Sequence, residues 1–106
     1  MGDSTTFGST IAHRRRALGI SQKELAEKIK REDGEPISPQ YLNDIERDRR
    51  SPSSEHIVKQ FAEVLGMDMD RLYFLAGRIP ADLLKGQHTP EVIEQAMVAF
   101  RKKLGG

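Results

Sequence analysis

The stretch Ile37-Ser38-Pro39-Gln40-Tyr41-Leu42-Asn43-Asp44-Ile45-Glu46-Arg47 carries more information than any other part of the chain. Ser38 is a strong helix N-cap, because its hydroxyl can accept from a first-turn N–H that has no other partner. Pro39 suits the first helical position, where a missing N–H costs nothing. At about 100° per residue, Leu42 and Ile45 point to one side with Glu46 beside them. Gln40, Asn43, Asp44 and Arg47 point to the other. The spacing predicts a short helix over 38–47 with an apolar inner face and an outer face of amides, an acid and a base. Amide and guanidinium groups are side chains that can read base edges in a major groove.

Working outward, two basic clusters flank this helix: Arg47, Arg49 and Arg50 on one side, and Arg14-Arg15-Arg16 near the N-terminus. Either cluster alone reads equally well as solvated surface. Net charge is only +1, a weak electrostatic footprint for nucleic-acid binding, so the distribution of charge matters more than its sum. A length of 106 residues bounds one compact domain with at most a terminal extension. Hydrophobic content of 37% and charged content of 31% suit a small globular protein with a modest core. The absence of cysteine excludes a disulfide framework or thiolate metal site and fits a reducing cytoplasm. No apolar run approaches the roughly 20 residues that span a bilayer. Met1 to Thr6 lacks the basic and apolar regions of a signal peptide. The expected location is therefore cytoplasmic, with no membrane partner.

The remaining pattern is helical, with Gly, Pro and Ser at the breaks and no sustained strand alternation. Residues 1–6 read as a flexible N-terminal tail. A first helix runs from about Phe7 to Leu18 with Phe7, Ile11 and Leu18 inward, and Gly19 ends it. Ser21 caps a second helix and forms a capping box with Glu24; Leu25, Ala26 and Ile29 make its inner stripe. Lys30 to Pro36 reads as a helix end followed by a charged loop around Gly34. After a basic turn at Pro52, Ser54 caps a fourth helix with Ile57, Phe61, Ala62 and Leu65 inward, stopped by Gly66. A short fifth helix opens at Asp68 or Asp70, carries Leu72, Phe74 and Leu75, and ends at Gly77. Arg78 to His88 is a connector with an apolar patch at Leu83-Leu84. Thr89-Pro90-Glu91 then starts a last helix to about Leu104, with Ile93, Met97, Phe100 and Leu104 on one stripe.

Phe7-Gly8 and Ile11, the run Leu18 to Ala26, Ile37-Ser38, Tyr41-Leu42, Ile45-Glu46, Ser51-Pro52-Ser53, Ala62, Leu65-Gly66 and Asp70-Arg71-Leu72 stand in an order that resembles the lambda-Cro/C1-type helix-turn-helix domain of the XRE family of transcriptional regulators. The resemblance covers residues 7–76. It implies an all-α chain: a five-helix, lambda-repressor-like helix-turn-helix domain with an additional C-terminal helix. Residues 77–106 then form the connector and that helix, a candidate dimerisation extension.

The resemblance further implies a sequence-specific DNA-binding regulator, a repressor of prokaryotic or phage origin. It would act as a homodimer on a near-palindromic stretch of double-stranded DNA, with helix 38–47 in the major groove. Carried over position by position, Gln40, Tyr41, Asn43 and Asp44 fall on base-contacting positions. Gln22, Lys23, Ser38, Arg47, Arg49 and Arg50 fall on phosphate-contacting ones. Glu46 pairs in the family with an arginine of the first helix, here Arg15, and the expected pair fixes the reading helix to its scaffold. Arg14 and Arg16 remain for phosphate.

Each assignment has a plainer rival. Gln40 and Asn43 suit adenine, which an amide can meet with both donor and acceptor, yet either alone also suits solvated helix surface. Tyr41 fits a thymine methyl or phosphate and equally the edge of the core. Asp44 is repelled by phosphate; it accepts from cytosine N4 or tethers Arg47 by helix spacing, and the tether is the stronger reading. One departure from the family is plain: Lys30 to Pro36 stands where a tight turn, often Gly-Val-Ser, is usual. Its Lys30 and Arg31 could reach DNA, or its Glu32, Asp33 and Glu35 could hold it away.

No enzyme is expected. His13, His56 and His88 lie in separate segments without metal-ligand spacing, and no phosphate-cradling or nucleophile motif is present, so no cofactor and no metal are predicted. The stripe Ile93, Met97, Phe100, Leu104, with Val92 and Ala96 beside it, must be buried somewhere. It folds back, or pairs two chains with help from Leu72, Phe74 and Leu83, or holds a protein regulator. The last option defines the rival function: a protein-interaction module, such as an antitoxin or partner-controlled regulator, in which DNA binding is secondary.

Overall fold

The computed structural model describes residues 6–105. Seven helices follow one another: α1 (Phe7–Ala17), α2 (Gln22–Lys28), α3 (Pro39–Glu46), α4 (Glu55–Leu65), α5 (Met69–Leu75), α6 (Ala81–Leu84) and α7 (Pro90–Lys103). The chain is all-α, as its periodicity predicts. Most of the expected tail lies outside the described residues. Thr6 does not belong to a tail: it caps α1, its side chain accepting from the N–H of Ser9.

Helix starts follow local chemistry. The Ser21 hydroxyl accepts from Glu24 N–H, and the Glu24 carboxylate accepts from Ser21 N–H at 2.8 Å, so two orphan donors of α2 are satisfied reciprocally. The Ser21 N–H, and after it the Ser21 side chain, favours the charged carboxylate and lowers the Glu24 pKa. Ser38 caps α3 by accepting from Tyr41 N–H, Ser54 caps α4, Asp68 caps α5 and Thr89 caps α7. Gly66 closes α4 in the left-handed region at φ 65°, where a side chain would be strained.

One core joins α1 to α5. Phe7, Ile11, Leu25, Ile29, Leu42, Ile45, Val58, Phe61, Leu65 and Leu72 are buried in it. Phe7 meets Phe61 edge to face with ring centroids 5.8 Å apart. Two expected core residues are outside it. Leu18 is 43% exposed because α1 ends at Ala17 and the chain turns there. Phe74 is 53% exposed, and Tyr73 enters the core in its place. Burial raises the Tyr73 pKa, with a hydrogen bond to Glu55 adding to the shift.

The inserted segment 30–36 is a small hairpin. Lys30 and Pro36 form an antiparallel bridge, Arg31 N–H donates to Glu35 C=O, and Ile37 N–H donates to Ile29 C=O at 2.9 Å. Gly34 takes φ 90° at its turn. Lys30 N–H donates to the side chain of Gln60 on α4, which anchors the hairpin base. Arg31 pairs with Asp33 at 3.0 Å. The Glu35 N–H and then the Arg31 guanidinium lower the Asp33 pKa.

Gly8 has a packing reason of its own. A Cβ there would collide with the carbonyl oxygen of Ile45 and crowd the Asp48 carboxylate and the Glu46 carbonyl. The start of α1 therefore sits directly against the end of α3. Gly8→Ala should lower stability by about 1–3 kcal/mol, the usual cost of overpacking. A thermal unfolding midpoint equal to that of the wild type would show that the two elements do not touch.

Candidate nucleic-acid interface

α3 is built to face two ways. Leu42 and Ile45 are fully buried, and Glu46 joins them with its charge neutralised. Arg15 on α1 meets Glu46 in a two-pronged contact, Nε to Oε2 at 2.7 Å and the second guanidinium nitrogen to Oε1 at 3.0 Å. The residues are only 9% and 8% exposed. Arg15 also donates to the Ile20 carbonyl at 3.0 Å. Hydrogen bonding to Glu46 raises the Arg15 pKa above its ordinary value, against the opposing effect of burial.

A second clamp, which residue spacing does not reveal, joins the same two helices. Asp48, just past α3, adopts φ 59° and turns its carboxylate onto α1. It accepts from Gly8 N–H at 3.1 Å and from the Thr6 hydroxyl at 2.7 Å. A carboxylate at a helix N-terminus is favoured by the orphan N–H groups there. The available signal was positional: Asp tolerates the left-handed conformation common just after a helix.

The outer face carries the other side chains. Gln40 is exposed and Asn43 half-buried. Gln40 Nε2 donates to Asp44 Oδ1 at 3.0 Å. The Asp44 carboxylate lies 3.6 Å from Arg49 and 3.9 Å from Arg50, not beside Arg47. The expected Asp44–Arg47 tether is thus corrected: after Asp48 the chain doubles back, and Arg49 and Arg50 also donate backbone N–H groups to the Asp44 carbonyl. Arg47 is exposed and enters no ion pair among the described residues.

The Tyr41 hydroxyl accepts from Ser53 N–H at 2.9 Å, and the Arg50 guanidinium lies 5.5 Å from its ring centroid. Tyr41 is partly buried against the edge of the core and braces the basic turn. Arg78 holds the same turn by donating to the Pro52 carbonyl at 3.1 Å.

Gln22, expected at phosphate, turns its amide inward. Nε2 donates to Glu46 Oε1 at 2.8 Å and to Asn43 Oδ1 at 3.2 Å. Lys23 and Ser38 are exposed at the starts of α2 and α3. Arg14, half-buried, donates its Nε to the Leu65 carbonyl at 2.9 Å, where the cation suits the C-terminal end of α4. Arg16 is exposed. The hairpin leaves an open groove of about 660 Å³ beside Ser38, Gln40 and Tyr41, so it does not bury the outer face of α3.

Ile93, Met97, Phe100 and Leu104 lie exposed along the last helix, and Phe100 meets Phe74 edge to face at 5.7 Å. Leu72 is fully buried in the core and cannot contribute to a surface, which corrects its place among the expected helpers.

Two adjacent helices, the second pinned inward and presenting polar groups outward, define a helix-turn-helix protein. A family model described as helix-turn-helix matches residues 11–72, more than half of the chain, which belongs to this Cro/C1-type family. The search of curated proteins and that of solved structures yield no match. The family is one of DNA-binding transcriptional regulators and not of enzymes. No helix among the described residues is long and apolar enough to cross a membrane.

Glu46→Gln leaves the Arg15 charge buried without its counterion and should cost about 3–5 kcal/mol. The double variant Arg15→Met/Glu46→Leu should recover much of that loss in denaturant unfolding. Equal stability of Glu46→Gln and wild type would mean that the pair does not hold α3.

Proposed function

We propose that the protein is a sequence-specific repressor that lays α3 in the major groove of a near-palindromic operator. The observation that carries this reading is the two-sidedness of α3: its inner face is locked by a buried ion pair, while Gln40 and Asn43 face outward among cations. Phosphate contacts would come from Lys23, Ser38, Arg47, Arg49 and Arg50 around the helix, and from backbone N–H groups at the start of α2. Arg47 is the best placed of the arginines, since Arg49 and Arg50 share Asp44. Tyr41 and Gln22 act as braces in the free protein. Occupying an operator suffices to block transcription, so repression needs no second active surface.

Residues 7–76 form the DNA-binding unit in this reading, and 77–106 the extension that pairs two chains. The exposed stripe of α7 supports the pairing, because an apolar face of that length is unfavourable in water. Paired chains would set two reading helices about one DNA turn apart. The same stripe also favours the second reading, a partner-controlled regulator in which that face holds another protein.

Binding to random duplex should weaken steeply between 50 and 200 mM salt, since each neutralised phosphate adds about 0.9 to the logarithmic slope. Arg47→Ala should reduce that slope by roughly 1 without changing base preference. A chain that binds no duplex at low salt is not a DNA-binding regulator. Phe100→Asp should convert a dimer into monomers in sedimentation, with the unfolding midpoint of the core retained. A wild type that sediments as a monomer up to high concentration would count against the pairing and for the partner.

A further inference from the structure

On the reading that α3 meets base edges, the contacts behind its amides decide how they are aimed. Arg15 remains cationic and Glu46 faces it as a carboxylate, which can only accept hydrogen bonds. The Gln22 group 2.8 Å from Glu46 Oε1 must therefore be its amino end. That same nitrogen lies 3.2 Å from Asn43 and can only donate, so Asn43 must turn its carbonyl oxygen inward. The Asn43 amino group is the end of the amide that this contact leaves uncommitted. Four side chains thus form a chain of forced choices that begins at a buried charge.

Gln40 is set by the same logic and ends with the opposite sense. Asp44, beside Arg49 and Arg50, accepts from Gln40 Nε2, which leaves the Gln40 carbonyl oxygen as the uncommitted end.

We infer that Gln22 is a positioning residue that fixes the Asn43 amide as a hydrogen-bond donor, so that Asn43 recognises guanine rather than adenine. Guanine presents two acceptors, N7 and O6, on its major-groove edge; adenine presents an acceptor beside a donor. Bidentate reading of adenine needs both ends of the asparagine amide at the base, and here one end is held by Gln22. This replaces the adenine preference expected from residue type alone. Gln40, offering its oxygen, suits an exocyclic amino group at a neighbouring base.

The experiment selects bound duplexes from a random pool with the full-length wild type, Gln22→Met and Asn43→Ala. The base read by Asn43 is the position whose preference collapses in Asn43→Ala. At that position the wild type should favour guanine over adenine by about tenfold, within the range of one good base contact. Gln22→Met, similar in length but unable to donate, should free the amide to rotate and bring the two bases to within about threefold. Preferences at other positions should stay unchanged.

A purely structural role for Gln22 would lower affinity for all sequences together and leave the ratio intact, which overturns the proposal. Adenine favoured by the wild type overturns it too, as does an Asn43→Ala variant with unaltered preferences. The wild-type ratio requires no variant, so a misfolded Gln22→Met does not shelter the idea. Failure of the wild type to bind any duplex at low salt is a different result: it removes the DNA reading itself, and the proposal with it.

Discussion

A single buried ion pair organises this molecule. Arg15 and Glu46 lie on helices separated by most of the motif, yet they meet in bidentate geometry with little solvent around them. Such a pair adds little net stability compared with apolar packing, because both ions are desolvated. What it adds is direction. A leucine at position 46 would tolerate a range of rotations of α3, whereas a forked carboxylate–guanidinium contact tolerates few. The orientation of the outer face of α3 is therefore set from the inside.

The second clamp acts at the other end of the same contact. Asp48 reaches the first turn of α1, and the absence of a side chain at Gly8 lets the two segments touch. Glu46 and Asp48 are two residues apart and grip different parts of α1. Together they resist both rotation and lifting of α3. Around this rigid centre the polar groups are less constrained: Arg49 and Arg50 share one acid, and Arg47 reaches outward. Order thus falls off from the helix to the turn that follows it.

Much of this was legible in the residues, because much of it is local. Ser21 with Glu24, Ser38 with Pro39, Ser54, Gly66 and Thr89 with Pro90 mark helix ends through bonds made within a single turn. The inner faces of α3 and α4 followed from spacing. Spacing failed where a helix is short or ends early. In the seven residues of α5 the apolar run Leu72-Tyr73-Phe74-Leu75 fits more than one rotation, and Leu72 and Tyr73 are the two that the core buries. Leu18, the C-cap of α1, keeps helical dihedrals, yet it sits where the helix ends and the core does not cover it. The partners of Asp44 were misjudged because the rule for helix neighbours looks along the axis, while the chain reverses at Asp48 and returns. The inward turn of Gln22 was out of reach for a related reason: it depends on Glu46, a residue 24 positions away.

The hairpin at 30–36 has a consequence for how such a protein can vary. Its two arms leave and rejoin the scaffold side by side, closed by the bond from Ile37 to Ile29 and tied to α4 through Gln60. Whatever lies beyond that closure is mechanically uncoupled from the angle between α2 and α3. Doubling a flexible loop costs only about 0.6 kcal/mol in closure entropy. The tip around Gly34 is thus a natural insertion port, where residues can accumulate or be lost while the two helices below keep their relative pose.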